Sequence, residues 1–245
     1  MPRTLWTYKN TSMATSPPTY TRDNGIVFCA RGGTITCVDG TSGDVRWQHT
    51  SPAPIECSPM VHPNGTILIG DYSGMVRAFS SGGHLLWSCA LDSPIMTTGC
   101  VDSSNHIWVG DDAGWLHQFR PDGQRIFRIK LTDLIATSPI FVGDRVFLAD
   151  EALRCTAGTV TALTSESGVA PLALCADSSV LVGSWDGYVR KIFDGVVQWA
   201  VALDGQIYGG CSVNETGDIF VGTRRGQLVA LTSSGERIWT RQFKD

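Results

Sequence analysis

Four places in the chain carry an isoleucine followed by a residue that changes: Ile55-Glu56, Ile95-Met96, Ile135-Ala136 and Ile207-Tyr208. Each lies in a segment rich in Ser, Pro, Thr or Gly: SPAPIECSP (51–59), DSPIMTTG (92–99), TDLIATSP (132–139) and DGQIYGGC (204–211). The same register extends to Ala14 and Val169. A fixed apolar residue beside a variable one is what a shaped pocket on a repeated frame requires, and also what drift at an unconstrained position produces. As a pocket, the set offers Glu56 as an acid and Tyr208 as a hydrogen-bonding aromatic. Acid–base work by Glu56 needs desolvation that raises its pKa.

Other chemistries have weaker support. Asp71, Asp111, Asp112, Asp150, Glu151 and Asp186 gather at tight turns. A cation needs several oxygens converging within a few ångströms, so capping of each turn's own amides is the better account. The five histidines, His49, His62, His84, His106 and His117, have no metal-ligand spacing. Trp115 and Trp185 lie near turns and are candidates for a protein-contact patch. There is no G-x-S-x-G, no HExxH and no phosphate-cradling Gly loop, so no nucleophile or metal motif supports catalysis.

These residues sit in a repeated unit. GIVFCARGG from Gly25, TILIGDYSG from Thr66, HIWVGDDAG from His106, RVFLADEAL from Arg145, SVLVGSWDG from Ser179 and DIFVGTRRG from Asp218 recur about every 40 residues, with one shorter step. An aromatic anchor follows most of them: Trp47, Trp87, Phe127, Trp199 and Trp239, with Trp6 one period ahead. Each unit holds four short β-branched and aromatic runs bounded by Gly, Asp, Asn, Ser and Pro, which predicts four strands. The period predicts an all-β, six-bladed β-propeller of four-stranded antiparallel blades. The blades are expected at about 14–48, 55–88, 95–128, 136–165, 170–200 and 209–240, with 1–10 as an extra terminal strand in a single domain. Blade 4 is degenerate: Glu151 stands where Gly is expected, and Ala162 takes the anchor position.

The unit resembles the quinoprotein-like (PQQ-like) repeat. Ser16-Pro17, Ser58-Pro59 and Ser138-Pro139 match its opening, Val182-Gly183-Ser184-Trp185-Asp186-Gly187 its hairpin, and Thr41-Ser42-Gly43-Asp44-Val45-Arg46-Trp47 its ending. The resemblance spans essentially the whole chain and implies the fold; the family includes enzymes, assembly scaffolds and sensor domains. Quinone-dependent members are larger, use adjacent cysteines and bind calcium. This chain has no adjacent cysteine pair, so no quinone, and no other cofactor, is expected.

Net charge is −4 with no basic cluster, which argues against nucleic acid. No apolar run approaches a membrane span. Eight cysteines without a CxxC read as free buried thiols in a reducing, cytoplasmic setting. Asn10, Asn64 and Asn214 head N-glycosylation sequons that chance also explains. The resulting expectation is a non-catalytic module, monomeric or a strand-mediated dimer, that binds a protein or small ligand. The alternative is a lyase, cyclase or hydrolase at the mouth of the central channel, using Glu56 and Tyr208.

Overall fold

The computed structural model describes residues 4–10, 12–14, 16–131, 135, 137–142, 145–149, 153–156, 160–162 and 170–243, and of 145, 149, 153–156 and 160–162 the backbone alone. Two compact units divide the chain, residues 1–135 and 136–245. All regular structure among the described residues is β, arranged as four-stranded antiparallel sheets in which strands pair in chain order. This is the propeller-blade pattern. Sheets are numbered below by their place in the chain.

The first unit holds three blades. Blade 1 ends on the outer strand Val45–Thr50, blade 2 on Leu85–Ala90 and blade 3 on Arg125–Lys130. The second unit holds blade 5, ending on Val196–Ala202, and blade 6, ending on Arg237–Gln242. Regular blades therefore number five, against the six expected. The fourth sheet is four-stranded too, and the described part of its outer strand is Val160–Ala162, three residues against six or seven in the others. The ladder corrects the expected anchor: Thr161, opposite Cys155 and Phe147, stands where the other blades carry an aromatic, and Ala162 is one place further on. Expected residues Asp150, Glu151, Ala136 and Val169 lie outside the described set.

Middle strands alternate between two buried faces, so they read as nearly continuous apolar runs. The core lies between neighbouring blades. Val27, Ile35, Ile55, Ile67 and Phe79 form one cluster between blades 1 and 2, and Met60, Val76, Ile95, Val109 and Phe119 one between blades 2 and 3. In the second unit Leu181, Val189, Ile207, Ile219 and Val229 do the same for blades 5 and 6.

The aromatic anchors latch each blade to the next. The indole N–H of Trp47 donates to the Ser81 carbonyl at 2.8 Å, that of Trp87 to Pro121 at 2.9 Å and that of Trp199 to Ser233 at 3.2 Å. In each case the ring face lies on a left-handed glycine two residues on, Gly83, Gly123 or Gly235. A methyl group on Gly123 would stand 2.5 Å from the Trp87 ring, so only glycine fits. Trp47 and Trp87 also stack on Phe79 and Phe119 of the following blade, at 6.0 and 6.1 Å.

Residues 4–10 correct the expectation of an extra strand: they form no ladder. An outer strand exists only where a third strand pairs with it, and among the described residues no strand pairs with residues 4–10. Trp6 nonetheless fills the anchor place, donating to Gly40 at 3.0 Å and resting on Gly43.

The turn aspartates are spent inside their turns. Asp71 accepts the Ser73 N–H at 2.8 Å and the Met75 N–H at 3.2 Å, and Asp186 accepts the Tyr188 N–H at 2.9 Å. Among the described residues no group of three or more His, Cys, Asp and Glu side chains is placed to hold a metal ion.

His117 is paired with the same kind of aspartate. Its Nε2 lies 2.9 Å from Asp111 Oδ2, both residues are 1% exposed, and its Nδ1 is buried with no partner among the described residues. Burial pushes this imidazole below its ordinary 6.5, outweighing the upward pull of the Asp111 carboxylate. The unfolded chain therefore takes up the proton first. Stability from this group is full above pH 6.5 and declines as pH falls below it. Urea midpoints at pH 7.5 and 5.5 should differ more for the wild type than for His117→Gln; equal differences would remove His117 as the cause.

Candidate functional site

The four isoleucines are core rather than pocket lining, which corrects one expectation. Ile55 and Ile207 are fully buried, and Ile95 and Ile135 are 1% exposed. Ile95, Ile135 and Ile207 each roof a glycine at the end of the preceding blade's second strand: Gly70, Gly110 and Gly183. A methyl group on Gly110 or Gly183 would meet the isoleucine γ2 carbon at 2.7 or 2.5 Å, so the glycine makes the pit that the branched side chain fills. Backbone bonds fix the fit. Ile95 N–H donates to Asp71 at 3.0 Å, and Ile207 N–H to Ser184 at 3.1 Å.

The residue before each isoleucine accepts from the next blade's hairpin turn: Pro54 from Tyr72, Pro94 from Asp112, Gln206 from Arg224. Met13 likewise accepts from Arg31 at 2.9 Å. That bond aligns Ala14 with the isoleucines, not with the variable position beside Glu56.

The variable residue then stands between turn residues of two consecutive blades. Glu56 lies between Arg31 Nε, at 3.0 Å, and the Tyr72 hydroxyl, which donates to it at 2.6 Å. That bond to Glu56 holds the Tyr72 phenol above its ordinary range. The two oxygens of Glu56 are thus engaged, one by a guanidinium and one by a hydroxyl donor. Met96, 38% exposed, holds the corresponding place between Tyr72 and Asp112.

In the second unit the same place joins two candidates that sequence had kept apart. Tyr208 stacks on Trp185, ring centroids 4.9 Å apart at 30°. On its other side Arg224 lies over the ring at 5.4 Å, with Nη1 3.3 Å from the hydroxyl. Trp185 is 43% and Tyr208 44% exposed, high for rings of this size. Beside them an open cleft of about 570 Å3 is lined by Tyr208, Gly209, Gly222, Thr223 and Arg224. Trp115 differs: Arg128 covers it at 4.7 Å, leaving it half-buried.

Arg31, Tyr72, Thr223 and Arg224 were not singled out from sequence. For Arg31, Tyr72 and Arg224 a signal was there: the second residue after each blade's second strand varies, as does the residue after each isoleucine.

The model of the PQQ-like repeat family described as outer membrane protein assembly factor BamB matches residues 3–111, 72–190 and 185–245. The chain belongs to this family. BamB from Moraxella catarrhalis is similar over 98% of this chain and 73% of its own, at 20% identity and a TM-score of 0.71. The C-terminal WD40 domain of Sif2 is similar over 94% of this chain and 73% of its own, at 15% identity and a TM-score of 0.80. At these identities both support the β-propeller fold alone. No curated protein matches. No helix among the described residues is long and apolar enough to cross a membrane.

Proposed function

We propose that the chain is a non-catalytic β-propeller interaction module that binds a protein partner through the Trp185–Tyr208–Arg224 surface. The observation that carries this reading is the exposed aromatic stack capped by an arginine beside an open cleft. Trp, Tyr and Arg dominate binding hot spots because each presents a large contact area with a polar end. In this reading the fourth sheet serves as a sixth, shortened blade of one domain, supported by its four-strand order. BamB, described as an outer membrane protein assembly factor, offers a family parallel for an interaction role. A reducing, cytoplasmic location fits the free thiols of Cys29, Cys57 and Cys211; burial holds Cys57 up at about 11 and Cys211 up at about 12. We further propose that no cofactor is involved, and that the chain is a monomer or a strand-mediated dimer. The enzyme reading is disfavoured by the engaged state of Glu56.

The test is cross-linked capture from a native extract by the wild type and by a Trp185→Ala/Tyr208→Ala variant that melts like it. Partners held by the wild type should fall at least about tenfold with the double variant. An unchanged profile would remove this surface from the reading. Turnover of a metabolite that Glu56→Gln abolishes would restore the enzyme.

A further inference from the structure

We infer that the outer strand of blade 5, Val196–Ala202, is the edge through which two copies of the chain pair. This rests on the strand-mediated dimer proposed above and names its strand. Blade 5 packs on the fourth sheet through Val180 and Ile192 against Phe147, and on blade 6 through Leu181 and Val189 against Ile219. All of these belong to one unit, residues 136–245. Both faces of the blade are covered from within that unit, and what stays bare is the edge.

A strand edge recruits another strand unless charge, proline or brevity prevents it. Three outer strands carry that protection: Arg46 in blade 1, Arg125, Arg128 and Lys130 in blade 3, Arg237 and Arg241 in blade 6. Val196–Ala202 reads VVQWAVA, with no charge and no proline, and its seven residues make it the longest described strand. Val196 and Val197 are 60% and 39% exposed. The uncharged outer strand of blade 2, Leu85–Ala90, is shorter and holds no β-branched residue, so it suits a ladder less well.

The backbone groups on offer follow from the ladder. Leu203 N–H donates to the Gly187 carbonyl at 2.8 Å, and Ala202 and Ala200 then lie opposite Tyr188 and Arg190. Bonded and non-bonded pairs alternate between antiparallel strands, so the N–H and C=O of Ala200 and Ala202 point out of the blade. Arg237 Nη2, 3.4 Å from the Ala202 carbonyl, shields that end. Ala200 is exposed and forms the bare centre of the edge.

Charge selects a second copy as the occupant. A basic edge laid against its own copy sets like charges close together, which is destabilising, whereas a neutral edge meets itself without that cost. Antiparallel pairing about a two-fold axis at Ala200 exchanges its N–H and C=O with those of Ala200 of the copy. The same register sets Trp199 opposite Val201 of the copy, and the reverse, an aromatic on a β-branched residue each time. One strand from each copy makes a smaller contact than a standard interface, so the dimer should come apart on dilution.

Sedimentation velocity of the full chain from about 1 to 300 µM tests this. The wild type should move from the mass of one chain toward that of two across the range. Ala200→Pro removes an N–H that its own blade does not use, and should weaken pairing at least about tenfold. Ala200→Lys should weaken it as much, by opposing two like charges, while melting like the wild type. Mixed in equal amounts with Ala200→Glu, it should pair again. Leu86→Lys, on the uncharged strand of blade 2, should leave pairing unchanged. A wild type that stays monomeric at about 300 µM overturns this inference and the strand-mediated dimer together. A dimer that survives Ala200→Pro and Ala200→Lys, or that Leu86→Lys breaks, overturns the choice of strand and leaves the dimer standing.

Discussion

Asp71→Ala should cost the fold about 3–5 kcal/mol, the range for breaking a buried ion pair by removing one partner. Asp71 is fully buried and is the centre of a network. It is ion-paired to Arg77, accepts from the Ser51 hydroxyl at 2.6 Å and caps the amides of its own turn. Burial alone would raise its carboxyl, but Arg77, Ser51, Ser73 and the Met75 amide outweigh it and hold the pKa below the ordinary 3.8. The stability this provides is present above pH 3.8 and is lost as pH falls through the lower folded value. In the alanine variant Arg77 keeps its charge with only 17% of its side chain exposed, and nothing opposes it. A midpoint about 10 °C lower in thermal melts is expected. Adding Arg77→Leu should recover part of the loss, because the stranded charge goes too. A single variant that melts within about 2 °C of the wild type would show that water reaches Arg77 and that the network is not structural.

Breaking one inter-blade latch should cost about as much. Trp87→Ala removes an indole that donates to Pro121, lies on Gly123 and stacks on Phe119, and should cost about 3 kcal/mol. Gly123→Val attacks the same contact from the other side. Its φ of 90° is left-handed, and the new Cβ would stand 2.5 Å from the Trp87 ring. Gly65→Val separates the two effects, because Gly65 has the same φ with open space around it, and there the backbone term of about 1 kcal/mol stands alone. Gly123→Val should exceed that control by about 2 kcal/mol in urea melts. The double variant Trp87→Ala/Gly123→Val should cost less than the sum, since both changes remove one contact. Strict additivity would mean that ring and glycine do not share an interface.

Sequence revealed what is periodic and local. Strand runs, turn glycines and the anchors Trp47, Trp87 and Trp199 repeat at nearly constant spacing, and each was assigned from a few neighbouring residues. Ala162 was placed one residue late, because with no aromatic to mark the row only the ladder shows that Thr161, opposite Cys155, takes the anchor place. Residues 1–10 misled because Trp6 sits at the anchor spacing: its docking is real, but strand state depends on a neighbour that spacing cannot supply. Ala14 was misaligned because its loop is one residue shorter before Ser16-Pro17 than the loop before Ser58-Pro59, which only the Met13–Arg31 bond exposes. The isoleucines looked like pocket walls because a repeated apolar residue in a loop has no periodic partner to betray its burial. Neither the Arg31–Glu56 pair nor the Trp185–Tyr208–Arg224 stack could be found by pattern, since each joins turns and loops separated by about 20 to 40 residues with no regular ladder between them.

Every indole latch spans the same interval: donors at Trp6, Trp47, Trp87 and Trp199 reach carbonyls 34 residues later. Donor and receiver therefore recur once per period, like the two halves of a press-stud sewn onto each module. Excising or duplicating one unit at any pair of equivalent positions rebuilds an identical joint. Gain or loss of whole modules thus meets little structural resistance in such a gene, whereas a shift of a few residues within a module uncouples two blades at once. Length variation among descendants of this chain should accordingly come in steps of one period.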